Sequence, residues 1–111
     1  MRRKYEVNLK DILTRIEIIK ENTKGMTYEE FKNSEWDVSA VVRNLEVIGE
    51  AVANLPDDFK EEHPEVEWKD IKGFRNIAIH QYWNVDKEIV WEIVQDELDP
   101  LQQKIENILE S

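Results

Sequence analysis

The stretch Trp36-Asp37-Val38-Ser39-Ala40-Val41-Val42-Arg43-Asn44-Leu45-Glu46-Val47-Ile48-Gly49-Glu50-Ala51-Val52-Ala53-Asn54 decides the fold. Val38, Val41, Val42, Leu45, Ile48 and Val52 recur every three or four residues, which gathers them on one face of an α-helix. The spacing predicts a helix over 36–54. Gly49 is its anomaly, because glycine costs a helix interior about 1 kcal/mol against alanine. Close packing of another helix is the simplest reason for placing it there. Pro56 prevents smooth continuation.

Upstream, Leu9, Ile12, Leu13, Ile16 and Ile19 form a second stripe, and a helix is expected over 5–23. Gly25 suits the residue just past its end. Thr27 and Glu30 have the spacing of a capping box, opening a short helix over 28–33. Downstream, Asp57 to His63 reads as a helical turn closed by Pro64. A fourth helix is expected over 68–81, with Trp68, Ile71, Phe74 and Ile77 or Ala78 facing inward. Asp86 is a good N-cap for a fifth. Ile89, Val90, Ile93, Val94, Leu98, Leu101, Ile105 and Ile108 carry that helix to the chain end, and Pro100 should kink or split it near Asp99. No strand-like alternation persists. The expectation is an all-α domain over 1–111, with four main helices, short helical pieces and connections short enough to favour antiparallel neighbours.

Composition narrows the function. The chain has 111 residues and no cysteine, which excludes disulfides and thiolate-bound zinc. No apolar run follows the basic start Arg2-Arg3-Lys4 as a signal peptide requires, and none approaches the roughly 18–20 residues that span a bilayer. A cytoplasmic protein is the expectation. The net charge of −10 argues against general polyanion binding. The charge is uneven, however. Residues 68–82 carry Lys69, Lys72 and Arg75 against Asp70 alone, and the N-terminus is the other local basic excess.

That basic segment holds the candidate site. Arg75 and His80 are five residues apart, hence about 140° around a helix and about 7.5 Å along it. Asn76 and His80 share a face at i, i+4, and Arg75 and Tyr82 share one at i, i+7. One helix end thus offers a guanidinium, an imidazole with an amide neighbour, and a phenol. These groups suit cleavage of RNA without a metal. RNA supplies its own nucleophile, the 2′-hydroxyl. A histidine can move the proton, and an arginine can stabilise the charge growing on phosphate. One histidine cannot easily be both acid and base, and a two-fold dimer would supply a second copy. His63, before Pro64 in an acidic loop, reads as structural. It lies seventeen residues from His80 and shares no helix with it, so the pair makes no zinc site. Trp83 and Trp91 could stack on a base, but core or dimer packing is the better reading of tryptophan.

The stretch Gly73-Phe74-Arg75-Asn76-Ile77-Ala78-Ile79-His80-Gln81-Tyr82 resembles the Arg-x4-His signature of the HEPN superfamily, and most of all its HepT toxin branch, in which Tyr follows two residues after the His. Leu45 to Ala51, Pro64 to Trp68, Val85-Asp86 and Ile89-Val90-Trp91 resemble further parts of that branch in the same order. The resemblance implies an up-and-down helical bundle forming a homodimer whose cleft holds both copies of Arg75 and His80. It implies a metal-independent endoribonuclease acting as a toxin, with no cofactor, and with Arg75 and His80 as catalytic and Asn76 and Tyr82 as supporting residues. It also implies a minimal nucleotidyltransferase as antitoxin, which transfers AMP to Tyr82. An acidic exterior would favour a small or structured RNA, such as a tRNA end. The competing expectation is a non-catalytic HEPN module that binds a nucleotide or a nucleotidyltransferase.

Overall fold

The computed structural model describes residues 2–80 and 86–111, with side chains described over 5–77 and 86–111. Helix α1 runs Arg2–Thr23 and α2 runs Tyr28–Lys32. They are followed by α3 at Glu35–Ala53, α4 at Asp57–Glu62, α5 at Trp68–Lys72 and α6 at Arg75–His80. A last helical rod comprises α7 at Lys87–Glu92, a π turn at Ile93–Glu97 and α8 at Leu98–Glu110. Among the described residues there is no strand, and the fold is all-α.

The stripes become the core. Leu9, Ile12, Ile16 and Ile19 of α1 are sealed against Val41, Leu45, Ile48 and Val52 of α3. Burying one such side chain contributes about 1.5–3 kcal/mol. On its other side α1 packs along α8 in the opposite direction. Lys20 near the end of α1 bonds Gln102 and pairs with Asp99 at 2.7 Å, while Tyr5 near its start lines a recess with Ile108 and Ser111. Gly25 takes the left-handed conformation expected past a helix end (φ 76°). Thr27 and Glu30 form the capping box in both directions, and Asp86 caps α7 by accepting from the Ile89 N–H. Trp91 is half-buried, its ring 5.1 Å from that of Phe31 and 6.2 Å from that of Tyr28. It therefore serves packing.

Two expectations need correction. The fourth helix is not continuous over 68–81: it breaks at Gly73-Phe74 into α5 and α6. The Phe74, Asn76 and Ile77 N–H groups bond Ile71, Gly73 and Phe74 carbonyls three residues back, which tightens the chain at a glycine. Ile89, placed in the inward stripe by spacing, is 48% exposed. The last helix is split near Asp99 as the Pro100 signal predicts, and the irregularity takes the form of a π turn at Ile93–Glu97 just upstream. Proline has no N–H for the Asp96 carbonyl, and its ring crowds that oxygen, so the preceding turn widens.

Candidate functional site

The site begins where α6 touches α3. A Cβ added to Gly49 would stand 2.7 Å from the Arg75 backbone nitrogen, 3.1 Å from its Cβ and 3.1 Å from the Lys72 carbonyl oxygen. Only glycine admits so close an approach. The break at Gly73-Phe74 is the other half of this fit, because it turns the chain so that α6 starts on the glycine. Phe74, buried next to Arg75, anchors the turn in the core.

Arg75 is the first residue of α6, and its side chain is about one-third exposed. Its Nη1 lies 3.5 Å from Oε1 of Glu50, the residue after Gly49, whose side chain is 56% exposed. Two consecutive residues of α3 thus set this arginine: Gly49 takes its backbone and Glu50 faces its guanidinium. One turn earlier Arg43 donates to Glu46 at 2.9 Å. Asn76 is exposed and Ile77 packs on the core. His80 is the last residue of α6, so α6 carries both ends of the Arg-x4-His spacing. Tyr82, Gln81 and Trp83 lie outside the described residues.

Glu50 was not among the residues singled out by sequence. A glutamate on the outer face of an amphipathic helix normally meets only solvent, and its one signal is the glycine beside it. His63 is placed as expected for a structural residue. Its ring lies 4.8 Å from that of Phe59, its Nδ1 lies 3.5 Å from Glu65, and its carbonyl accepts from the Trp68 indole at 2.9 Å. Among the described residues no group of three or more histidines or carboxylates is arranged to hold a metal ion.

On the other side of α5, a groove of about 390 Å³ runs between α5 and the π turn. Glu67, Asp70, Asp96 and Glu97 line it with Lys104. Partial burial, followed by the charges of Asp70, Glu67, Asp96 and Glu92, pushes the Glu97 carboxyl above its ordinary range. With four carboxylates against one lysine in its lining, this groove is poorly suited to a phosphate. Among the described residues no helix is long and apolar enough to cross a membrane.

The family model described as ribonuclease HepT-like matches residues 12–108. The chain is 41% identical over 102 residues to a protein of Caldanaerobacter subterraneus subsp. tengcongensis provisionally named an RNase, covering 92% of this chain and 91% of that one. It is 38% identical over 108 residues to "Probable ribonuclease HepT" of Thermococcus cleftensis, covering 97% and 98%. A third relative, from Methanocaldococcus jannaschii and also provisionally named an RNase, is 42% identical over 108 residues, covering 97% and 89%. No solved structure matches the chain. With nearly its whole length matched and the Arg75–His80 helix inside the match, the chain belongs to the ribonuclease HepT-like family.

Proposed function

We propose that the chain is an endoribonuclease that cleaves RNA without a metal, through Arg75 and His80, and that it acts as the toxin of a toxin–antitoxin pair. The ribonuclease class follows from the family. The observation that carries the chemistry is the seating of Arg75 on Gly49 beside Glu50, at the start of the helix that ends in His80. A guanidinium held in this way can receive a phosphate with two parallel hydrogen bonds. The 2′-hydroxyl is the nucleophile, and an imidazole near neutrality transfers a proton. Asn76, one turn before His80, supports the imidazole.

In this reading two chains pair across a two-fold axis and form the cleft jointly. A nucleotidyltransferase silences the enzyme by placing AMP on Tyr82, because a nucleotide two residues from His80 adds bulk and negative charge where the RNA phosphate must sit. The acidic exterior limits non-specific contact and favours a small structured RNA such as a tRNA end.

The test expresses the wild-type chain, Arg75→Ala and His80→Ala without a partner and follows growth and RNA integrity. Arrested growth and cut RNA for the wild type alone support the proposal. The net charge of −10 favours a second reading, a non-catalytic module that binds a nucleotide or a nucleotidyltransferase. In that case all three chains behave alike and partner binding survives in both variants.

A further inference from the structure

Transesterification by the 2′-hydroxyl needs two proton carriers on opposite sides of phosphorus, one to take a proton and one to give it. The Arg-x4-His segment supplies one of them. The other histidine, His63, is stacked on Phe59 and paired with Glu65. A second carrier is nevertheless present at Arg75. Glu50 lies 3.5 Å from the guanidinium, longer than the roughly 2.7–2.9 Å of a charge-assisted hydrogen bond. Its carboxylate is therefore held beside the arginine without being locked to it. More than half its side-chain surface is open. The neighbouring acid, Glu46, is 24% exposed and bonded to Arg43 at 2.9 Å, so it is engaged elsewhere.

We propose that Glu50 is the general base of the reaction, a role that rests on the ribonuclease reading above. A phosphate received by Arg75 brings the adjacent 2′-hydroxyl within reach of a carboxylate next to that guanidinium. Glu50 takes the 2′-hydroxyl proton while O2′ bonds to phosphorus. The bond from phosphorus to O5′ breaks, and the imidazolium of His80 gives its proton to the departing O5′. The products are a 2′,3′-cyclic phosphate and a 5′-hydroxyl. Glu50 is left protonated and His80 neutral, and exchange with water restores both. Helix α6 suits this division, since its geometry sets the two motif residues about 7.5 Å apart along the axis. One chain then carries a base, a phosphate clamp and an acid, and proton transfer does not require a second histidine from another copy.

Glu50→Gln is the discriminating variant. Its amide oxygen still accepts from Arg75, but it cannot take a proton, and at an exposed position it should leave the melting temperature unchanged. The substrate is an RNA oligonucleotide carrying the cleavage site mapped for the wild type, used with O5′ at that bond intact or replaced by sulfur. A thiolate leaves without a general acid. The expected result is a roughly hundredfold or greater loss of kcat in Glu50→Gln with little change in KM. That loss persists on the sulfur substrate, whereas the His80→Ala defect largely disappears. Glu50→Asp, which keeps a base, retains intermediate activity. Glu50→Gln within threefold of wild type, or a Glu50→Gln defect erased by sulfur, overturns the assignment while leaving the ribonuclease reading intact. A wild-type chain that cuts no RNA overturns both.

Discussion

Gly49 and Arg75 are fitted to each other: a Cβ on Gly49 would lie 2.7 Å from the Arg75 backbone nitrogen. Alanine at 49 would gain about 1 kcal/mol of helix propensity. It would also force two helix backbones apart, and overpacking costs about 1–3 kcal/mol. The clash wins because the opposing atom is backbone and cannot swing away. Gly49→Ala should lose about 1 kcal/mol in urea unfolding. Its activity should fall further than the folded fraction does, because Arg75 moves with α6.

The guanidinium itself is the second prediction. Lysine at 75 keeps the charge but loses the planar fork that meets two phosphate oxygens at once. Arg75→Lys should fold with unchanged stability, because the residue is partly exposed and its contact with Glu50 is a surface pair. Cleavage should still fall by about tenfold or more, the equivalent of one good hydrogen bond to a charged group. Wild-type cleavage rates in this variant would refute a bidentate role.

Glu97 gives a prediction about pH. Its carboxyl is raised by partial burial and by the acids around it, so the folded state holds the proton more tightly than the unfolded chain. Its contribution to stability is present below the ordinary carboxylate range and is lost as pH rises through the raised value. Glu97→Gln should therefore melt higher than wild type at neutral pH. The difference should close as pH falls into the carboxylate range. Equal melting temperatures at both ends of the titration would count against the groove's repulsion.

The capping box at α2 offers a test remote from the site. Thr27 accepts from the Glu30 N–H, and Glu30 reaches back to the Thr27 N–H at 2.9 Å. Thr27→Ala should cost about 1 kcal/mol, a typical value for a lost N-cap. RNA cleavage per folded molecule should be unaffected.

Much of this architecture was legible in the sequence, for identifiable reasons. The α1 and α3 stripes, the Thr27 box and the Asp86 cap are local signals that the tertiary structure reinforces. Gly49 advertised a close contact, though not its partner. The break at Gly73 was missed because periodicity alone carries Trp68, Ile71, Phe74 and Ile77 straight through it. The i−3 bonds that tighten this turn are decided by the docking of α6 on α3. Ile89 matched the stripe but sits in the first turn of α7, on its exposed side. Arg75 and His80 were legible as a spacing. Glu50 was not, because its meaning depends on a residue twenty-five positions away.

The π turn at Ile93–Glu97 works as a phase adjuster. Val90, Val94 and Leu98 are all buried and follow one another at intervals of four. In an unbroken α-helix two such intervals drift about 80° around the axis. The wider turn absorbs that drift, so one rod can lean on α2 and α3 with its first half and on α1 with its second. Removing a single residue from this turn would keep a plausible helix but rotate everything after it, turning Leu101, Ile105 and Ile108 away from α1. The register of α8, the last thirteen helical residues, is thus metered by five residues.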